Sequence, residues 1–409
     1  MSTTVILQVA LPVPLRRLFD YLPPENTDLN ALPLGVRVRV SFGRQTLIGV
    51  LIAIADHSDV PANKLKPAQA ILDVSPPFTP VLFEIAQWAA RYYQYPLGEV
   101  FYSLLPHTLR EGKNNQLAHE QHWRAVVSET HALRANSKLL ALYQWLLQDN
   151  AAREDILAAG YTGAQIKTLH ERGLIESFFS APTAFSSSEV LAESPLALNE
   201  EQRVAVAGVS AGKFSTTLLE GVTGSGKTEV YLQWIEKVLA RGEQALVLVP
   251  EIGLTPQTVS RFRRRFHCPV LALHSGLADG ERYHAWRRAQ RGEAGIVIGT
   301  RSALFTPMMQ LGIIIVDEEH DSSFKQQEGF RYSARDLAVL RAQRENIPVL
   351  LGSATPSLET LYNAMQGNYQ HWRLTQRAGN ARAPTVEIID TQRMTLTEGI
   401  SAPLLQAMR

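Results

Sequence analysis

A glycine-rich octapeptide limits what this chain can be more than any other feature of its sequence. Gly221-Val-Thr-Gly-Ser-Gly-Lys-Thr228 matches the spacing G-x-x-x-x-G-K-[ST], and it lies between an apolar stretch and a helical pattern. Backbone N–H groups of such a loop wrap phosphates, the lysine reaches the β- and γ-phosphates, and the threonine coordinates Mg²⁺. A glycine-rich turn before a helix is the alternative. The predicted nucleotide-binding residues are Gly221, Val222, Thr223, Gly224, Ser225, Gly226, Lys227 and Thr228.

A second stretch supplies carboxylates where a phosphate loop needs them. Four apolar residues at 313–316 are followed directly by an Asp-Glu-Glu-His run at 317–320. Parallel sheets bind ligands beyond the carboxyl ends of their strands, so Asp317 can hold Mg²⁺ and Glu318 can orient or deprotonate the attacking water. An acidic turn after a buried strand is the alternative, and the phosphate loop makes it the weaker one. The predicted catalytic residues are Lys227, Asp317 and Glu318, with Thr228 and Asp317 as Mg²⁺ ligands.

The region from residue 198 onward alternates strands and helices. Six short apolar stretches are typical of strands: 216–219, 245–249, 270–273, 296–298, 313–316 and 349–351. Continuous apolar strands separated by helices indicate a parallel sheet covered on both faces. Two hydroxyl residues, Ser353 and Thr355, follow the last strand and would lie towards the γ-phosphate. A capped turn is the alternative for that segment.

The first 197 residues divide into three parts. Residues 1–112 are predicted to be β-rich with helices at the end, because Val36, Val38 and Val40 alternate with polar residues and helical spacing begins at Pro80. Residues 113–180 contain three short helices followed by a Gly-Leu-Ile strand, a pattern of winged-helix modules that small helical adaptors share. Residues 181–197 are predicted to be a linker, and 198–409 the α/β domain.

Composition narrows the class of protein. The chain has 40 Lys and Arg against 39 Asp and Glu, so it has no overall attraction to nucleic acid. The stretch 261–291 differs, with eight arginines against two carboxylates, and either a phosphate-facing surface or solvated helix faces would explain it. A single cysteine, Cys268, excludes an internal disulfide and indicates a reducing compartment. No stretch reaches the ~20 apolar residues of a membrane-spanning helix, so we expect a cytoplasmic protein.

Longer motifs resemble one family of helicases. The Asp-Glu-x-His run with Ser-Ala-Thr is similar to superfamily 2 motors, and the segments 250–257, 299–303 and 317–336 resemble the PriA family of primosomal helicases. The amino-terminal segments 10–14, 19–21 and 41–43 resemble that family's 3′ DNA-end-binding domain. The resemblance implies three modules, namely a β-rich DNA-end-binding domain, a winged-helix-like domain and a RecA-like lobe 1. It also implies an ATP- and Mg²⁺-dependent 3′-to-5′ DNA helicase that recognises stalled or repaired replication forks and initiates replication restart.

The same resemblance assigns further residues. Gln202 matches the adenine-side motif, and Thr255, Gln257, Thr300 and Arg301 match segments that contact a single-strand backbone. A pocket for the terminal 3′ nucleotide would comprise Phe19, Asp20, Gly43 and Lys66, and coupling residues would be His320, Ser353 and Thr355. Implied partners are forked DNA, single strands with 3′ ends, primosome proteins and single-strand-binding proteins, and the implied location is the nucleoid.

The segment 324–335 resembles the family's aromatic-rich loop, which links DNA contact to the hydrolytic carboxylates. Phe324, Phe330 and Tyr332 can stack on unpaired bases, while Lys325, Arg331 and Arg335 can meet phosphates. The alternative is aromatic core residues flanked by solvated charges.

Three features of the sequence leave other hypotheses open. Only one RecA-like lobe is found, the last residues open a new helix at Ser401, and the family's cysteine-rich zinc element is missing. We therefore expect the amino-terminal part of a longer protein, with little activity of its own and with zinc bound only beyond it. A non-catalytic module that binds forks and 3′ ends, and another superfamily 2 DNA translocase, are the competing hypotheses.

Overall fold

The computed structural model describes residues 5–25, 27–113, 120–126, 137–148, 150–180, 190–209, 212–377, 386–392 and 394–408. The first part of the predicted linker, residues 181–189, lies outside these ranges. Within them, no helix is long and apolar enough to cross a membrane.

The N-terminal unit is a five-stranded sheet followed by three helices. Its elements are β1 (Ile6–Ala10), β2 (Phe19–Tyr21), β3 (Arg37–Phe42), β4 (Gln45–Ala55), β5 (Ala70–Ile71), α1 (Pro80–Tyr92), α2 (Leu97–Leu104) and α3 (His107–Arg110). The sheet order is β2-β1-β4-β3-β5, and neighbouring strands pair antiparallel. The alternating valines of β3 are buried, which confirms the predicted strand with one inward face.

The middle unit contains β6 (Glu120–Ala125), α4 (Lys138–Gln148), β7 (Ala151–Ala152), α5 (Arg153–Ala158), α6 (Gly163–Glu171) and β8 (Ile175–Ser180). The three predicted helices and the final strand are present. The strands form an antiparallel sheet in the order β7-β6-β8. A sheet packed on three helices favours the winged-helix-like prediction. It remains a prediction because the partner of the final strand, β6, comes before the helices in the chain.

The C-terminal unit is an α/β lobe. Its elements are α7 (Glu200–Ala207), β9 (Ser215–Gly221), α8 (Lys227–Leu239), β10 (Gln244–Leu248), α9 (Pro256–Arg265), β11 (Val270–Leu273), α10 (Asp279–Gln290), β12 (Ile296–Gly299), β13 (Leu311–Asp317), α11 (Ala334–Glu345), β14 (Pro348–Ser353), α12 (Leu358–Met365), β15 (Gln370–Leu374), β16 (Leu396–Thr397), β17 (Ile400–Ser401) and α13 (Ala402–Ala407).

Seven strands of the lobe form one parallel sheet in the order β11-β12-β10-β13-β14-β9-β15. All six predicted strands are in it, and β15 is an addition that the sequence did not reveal. Apolar residues from both faces enter two separate core clusters, which confirms a sheet covered on both sides. One of these clusters also takes in α1 and α2, so the N-terminal unit is packed against the lobe.

Candidate nucleotide and DNA site

The phosphate loop joins β9 to α8, as its sequence predicts. Gly224 and Gly226 have φ values of +80° and +83°, a left-handed conformation that favours glycine. Lys227 opens the helix, and its Nζ donates to the carbonyl oxygen of Gly221 at 2.9 Å. The N-terminus of α8 therefore faces the loop, which is the arrangement of a phosphate cradle.

The carboxylates predicted to be catalytic lie beside this loop. Asp317 ends β13, and the Nζ of Lys227 lies 3.5 Å from the Oε1 of Glu318. Glu318 has a φ of +48°, a left-handed backbone that a non-glycine residue adopts at a cost. That conformation turns Glu318 towards Lys227 while Asp317 stays at the strand end. The predicted catalytic residues Lys227, Asp317 and Glu318 are thus brought together by the fold.

Asp317 is held by a tyrosine that the sequence patterns did not single out. The buried hydroxyl of Tyr231, one turn into α8, donates to the Oδ1 of Asp317 at 2.9 Å. Burial raises the pKa of Asp317, and the hydrogen bond from Tyr231 opposes that rise. A tyrosine four residues after the phosphate-loop lysine was the available signal, because it shares a helix face with that lysine.

The oxygen donors fit a magnesium ion. Thr228, Asp317 and Glu318 line a cavity of about 560 Å³ together with the phosphate loop, and a second cavity of about 640 Å³ lies on the other side of the same residues. Mg²⁺ is usually held by one or two carboxylates plus substrate phosphates, so these donors suffice. Among the described residues, no group of three or more His, Cys, Asp and Glu could hold a metal ion.

The three residues predicted to couple DNA binding to hydrolysis meet at the neighbouring strand end. The Nδ1 of His320 lies 2.7 Å from the Oγ of Ser353, which is fully buried, and the backbone N–H of Thr355 donates to the same oxygen at 3.0 Å. His320 also lies 3.7 Å from the Oε2 of Glu318. A hydrogen-bonded path therefore joins the end of β13 to the end of β14.

Glu319 is a second residue that the sequence patterns missed. It is 2% exposed and accepts hydrogen bonds from the backbone and hydroxyl of Ser357 and from the hydroxyl of Thr360. Arg335 donates to it at 3.2 Å. This carboxylate ties the strand end to α11 and α12.

Gln202 reaches the phosphate loop rather than the open cavity. It is 4% exposed, its Nε2 donates to the carbonyl oxygen of Ser225 at 2.8 Å, and its Oε1 accepts from the backbone of Asn199. The contact with adenine remains a prediction, whereas support of the phosphate loop is what the geometry provides.

Part of the predicted linker also borders the nucleotide cavity. Residues 190–198 pack on the lobe, where the carbonyl oxygen of Ser194 accepts from Arg265 and the backbone of Leu196 donates to Glu229. Arg261 and Arg264 face the same cavity. The second part of the predicted linker is therefore a wall of the lobe.

The arginine-rich stretch does not form one surface. Arg265, Arg287 and Arg291 are all less than 10% exposed, and Arg265 pairs with Glu229. Arg288 pairs with Glu293. Neither alternative, a phosphate-facing surface or solvated helix faces, holds for the whole stretch, because four of these eight arginines are buried or paired inside the lobe.

The aromatic-rich segment is packed inside the protein. Phe324, Phe330 and Tyr332 are between 3% and 5% exposed, and Phe330 stacks on Tyr332 with ring centroids 5.0 Å apart. Phe330 also contacts Tyr93 and Tyr95 of the N-terminal unit. In this structure the alternative of aromatic core residues flanked by charges is right, and free stacking of these rings on bases is wrong because each side chain is 5% exposed or less.

The charges of that segment differ among themselves. Arg335 pairs with Glu319 and Asp336, so its guanidinium is already neutralised and the prediction of a phosphate contact is wrong for it. Lys325 and Arg331 are exposed and keep the predicted role as a proposal.

Of the four remaining lobe residues predicted to contact DNA, Thr300 and Arg301 directly follow β12, whereas Thr255 and Gln257 lie at the start of α9. Thr255 and Gln257 are exposed, and Thr255 caps α9 by accepting from the backbone of Thr258. Thr300 is buried, and Arg301 donates to the carbonyl oxygen of Ser323 at 2.9 Å.

The four residues predicted to form the 3′-end pocket lie in neighbouring segments of the N-terminal unit, and the pocket itself stays a prediction. Phe19 and Phe42 meet edge to face at 5.2 Å, which brings β2 beside the turn that contains Gly43. The carbonyl oxygen of Lys66 accepts from the backbone of Leu22, directly after β2. Asp20 accepts from the hydroxyl of Ser58. Gly43 has a φ of +60°, and no atom lies within 4 Å of the place that a Cβ would take, so open space adjoins the turn.

Two family models match separate parts of the chain. A 3′DNA-binding domain model matches residues 8–106, and a DEAD/DEAH box helicase model matches residues 199–364. The middle unit lies between them.

Curated relatives match almost the whole chain. Replication restart protein PriA of Haemophilus influenzae is 43% identical over 99% of this chain and 56% of its own length. The PriA proteins of Bacillus subtilis and Chlamydia pneumoniae are 32% and 34% identical over 91% and 92% of this chain, and over 56% and 52% of their own lengths. The chain thus spans about half the length of the curated relatives it matches.

Proposed function

Since this chain belongs to the PriA family of replication restart proteins over the length that it spans, we propose that it is part of an ATP-dependent 3′-to-5′ DNA helicase. The proposed helicase recognises stalled or repaired replication forks and initiates primosome assembly. One observation carries the proposal: a phosphate loop, its catalytic carboxylates and a 3′ DNA-binding domain occur in a single chain.

We propose a role for each residue of the nucleotide site. Lys227 and the α8 N-terminus bind the phosphates, and Thr228 with Asp317 would hold the magnesium ion that neutralises charge on them. Tyr231 fixes the Asp317 carboxylate, and Glu318 orients or deprotonates water beside Lys227. His320 and Ser353 would carry a shift of Glu318 to the next strand end.

The DNA end is the proposed substrate of the N-terminal pocket. Phe19 offers a ring for a base, Asp20 an acceptor for the terminal 3′ hydroxyl, and Gly43 an open approach for a backbone. Lys66 is exposed beside them and supplies a charge for phosphate. Primosome proteins and single-strand-binding proteins are the proposed protein partners, in the nucleoid.

Turnover by residues 1–409 tests the catalytic part. Charge stabilisation by an arginine supplied from outside the phosphate loop is worth about 10³–10⁵ in rate for related NTPases. The described residues contain one RecA-like sheet, so we expect this polypeptide to bind ATP, to hydrolyse it slowly and not to unwind DNA. ATP turnover with and without forked DNA, beside Lys227→Ala, checks this. Rapid turnover that depends on Lys227 would contradict the expectation that one lobe alone hydrolyses ATP slowly.

A second candidate function is a non-catalytic module that binds fork and 3′ ends, because all four pocket residues lie within this chain. Affinity for oligonucleotides with a free or a phosphorylated 3′ hydroxyl separates the two. We expect Asp20→Ala to abolish the preference for the free hydroxyl, and Lys227→Ala to leave it unchanged. If ATP never alters DNA affinity in the wild-type protein, the non-catalytic function is favoured.

A further inference from the structure

A groove runs between the N-terminal unit and the α/β lobe. One wall is the turn from α2 into α3, and the other is formed by α10 and by the residues after β11 and β12. Its two chambers measure about 180 and 330 Å³ and share Ser103, Arg110 and Ser302. We call the two chambers together the interdomain groove.

Two arginines face each other across the smaller chamber without a carboxylate partner. Arg110 donates to the carbonyl oxygens of Leu105 and Ser103, at 2.7 and 3.1 Å. Arg282 donates to the carbonyl oxygens of Ser275 and Leu277, at 3.0 and 3.3 Å. Neither has an ion-pair contact within 4.0 Å among the described residues. Neutral carbonyl oxygens orient a guanidinium without pairing its charge, and Asp279, which lines the same chamber, compensates only part of the two positive charges.

Most of the groups around these arginines can donate a hydrogen bond. His107, His274, Ser302 and Thr306 line the same chamber, and its single carboxylate, Asp279, lies 3.5 Å from the Nδ1 of His107. The larger chamber adds Arg301 but also carries two exposed carboxylates, Glu251 and Glu328. The positive potential is therefore concentrated at the α3–α10 end.

Two buried N–H groups beside the chamber lack an acceptor. The Nε1 of Trp286 and the Nε of Arg282 are buried and have no hydrogen-bond partner within the described part of the chain. A buried donor without a partner is destabilising, so the site would gain from an anionic oxygen. Trp286 is 5% exposed and Arg282 lies one turn before it on α10, so both belong to a rigid element.

We propose that the interdomain groove binds a phosphodiester group of a DNA single strand, held between Arg110 and Arg282. The walls come from the unit matched by the 3′DNA-binding model and from the lobe matched by the helicase model, and the groove continues to Arg301. The inference rests on the proposed function and adds two DNA contacts to it.

The salt dependence of DNA affinity tests the proposal. Neutralising one phosphate contact lowers the slope of log K against log salt by about 0.7 for single strands. We expect Arg110→Gln and Arg282→Gln each to reduce the slope by this amount and to weaken binding of a labelled oligonucleotide about tenfold. Arg282→Lys should keep the slope, because it keeps the charge. Arg344→Gln, an exposed arginine on α11 outside the groove, is the matched control.

A second measurement needs no variant. Arg110 holds its own turn through carbonyl contacts, so its replacement could loosen the turn. Arginine modification by phenylglyoxal, read by mass spectrometry on the wild-type protein, should be blocked at Arg110 and Arg282 by the oligonucleotide and unchanged at Arg344. Equal protection by inorganic phosphate at the same ionic strength would assign the groove to free anions and overturn the proposal.

The outcomes separate the two levels of inference. If the wild-type protein binds the oligonucleotide but Arg110→Gln and Arg282→Gln match the slope of Arg344→Gln, the groove proposal fails and the proposed function stands. If the wild-type protein binds no oligonucleotide at all, both fail.

Discussion

Two parts of the α/β lobe carry motifs of similar length, yet only one has the side-chain arrangement that its residues predict. At the carboxyl edge of the sheet, the phosphate loop, Asp317 and Glu318 converge as expected. In the aromatic-rich segment, Phe330 and Tyr332 are buried instead of available for bases. The arrangement at the sheet edge depends on the backbone, because glycines allow the conformation of the phosphate loop and the end of a strand places the carboxylate. In the aromatic-rich segment, the alternation of aromatic and charged residues does not determine which side chains are buried.

The largest expected effect is a loss of stability on substitution of Phe330 in the buried aromatic cluster. Phe330 is 4% exposed and contacts Tyr93, Tyr95 and Tyr332 across the junction of the two units. Phe330→Ala should lower the free energy of unfolding by about 3–5 kcal/mol, the usual cost of emptying a buried phenyl site. Urea unfolding followed by tryptophan fluorescence measures it, with Tyr362→Ala on α12 as an exposed aromatic control. Unchanged stability with lost oligonucleotide affinity would restore the stacking prediction.

How much of the structure the sequence predicts depends on whether a feature is determined locally or by distant contacts. Six apolar strands and the phosphate loop were predictable, because each depends on local composition and on the pattern of strand, loop and helix. The edge strand β15 was missed, since its burial pattern is mostly partial and its sequence, QHWRL, alternates weakly. Arg335 was assigned to phosphate because sequence shows a charge but not its partner, and that partner, Glu319, lies 16 residues away in the chain.

A smaller effect is expected when the hydrogen bond that holds Asp317 at the sheet edge is removed. Tyr231→Phe removes the hydrogen bond to Asp317 and leaves the carboxylate buried with one donor fewer. The affinity for nucleotide in the presence of Mg²⁺ should fall about 5- to 30-fold, which is equivalent to about 1–2 kcal/mol of binding free energy. Titration of a fluorescent ADP analogue against Mg²⁺ measures it.

The same variant predicts a shift with pH. The bond from Tyr231 lowers the pKa of Asp317, and burial raises it, so removing the bond lets the pKa rise further. Mg²⁺ binding needs the ionised carboxylate, and it should therefore be lost at a higher pH in Tyr231→Phe than in the wild-type protein. Tyr143→Phe, which removes a buried hydroxyl bond to the carbonyl oxygen of Val126 in the middle unit, is the control. An identical pH profile for both variants would show that Tyr231 supports the fold alone.

The smallest expected effect sharpens the comparison within the aromatic-rich segment itself. Arg331 is exposed between two buried rings, so its side chain can meet a phosphate while Phe330 and Tyr332 hold the fold. Arg331→Gln should change the free energy of unfolding by less than about 0.5 kcal/mol, as surface substitutions do. It should also lower the salt slope of oligonucleotide binding by about 0.7, while Arg331→Lys preserves it. A large loss of stability in Arg331→Gln, or an unchanged slope, would mean that rings and charges in this segment serve packing together and that DNA contacts lie elsewhere.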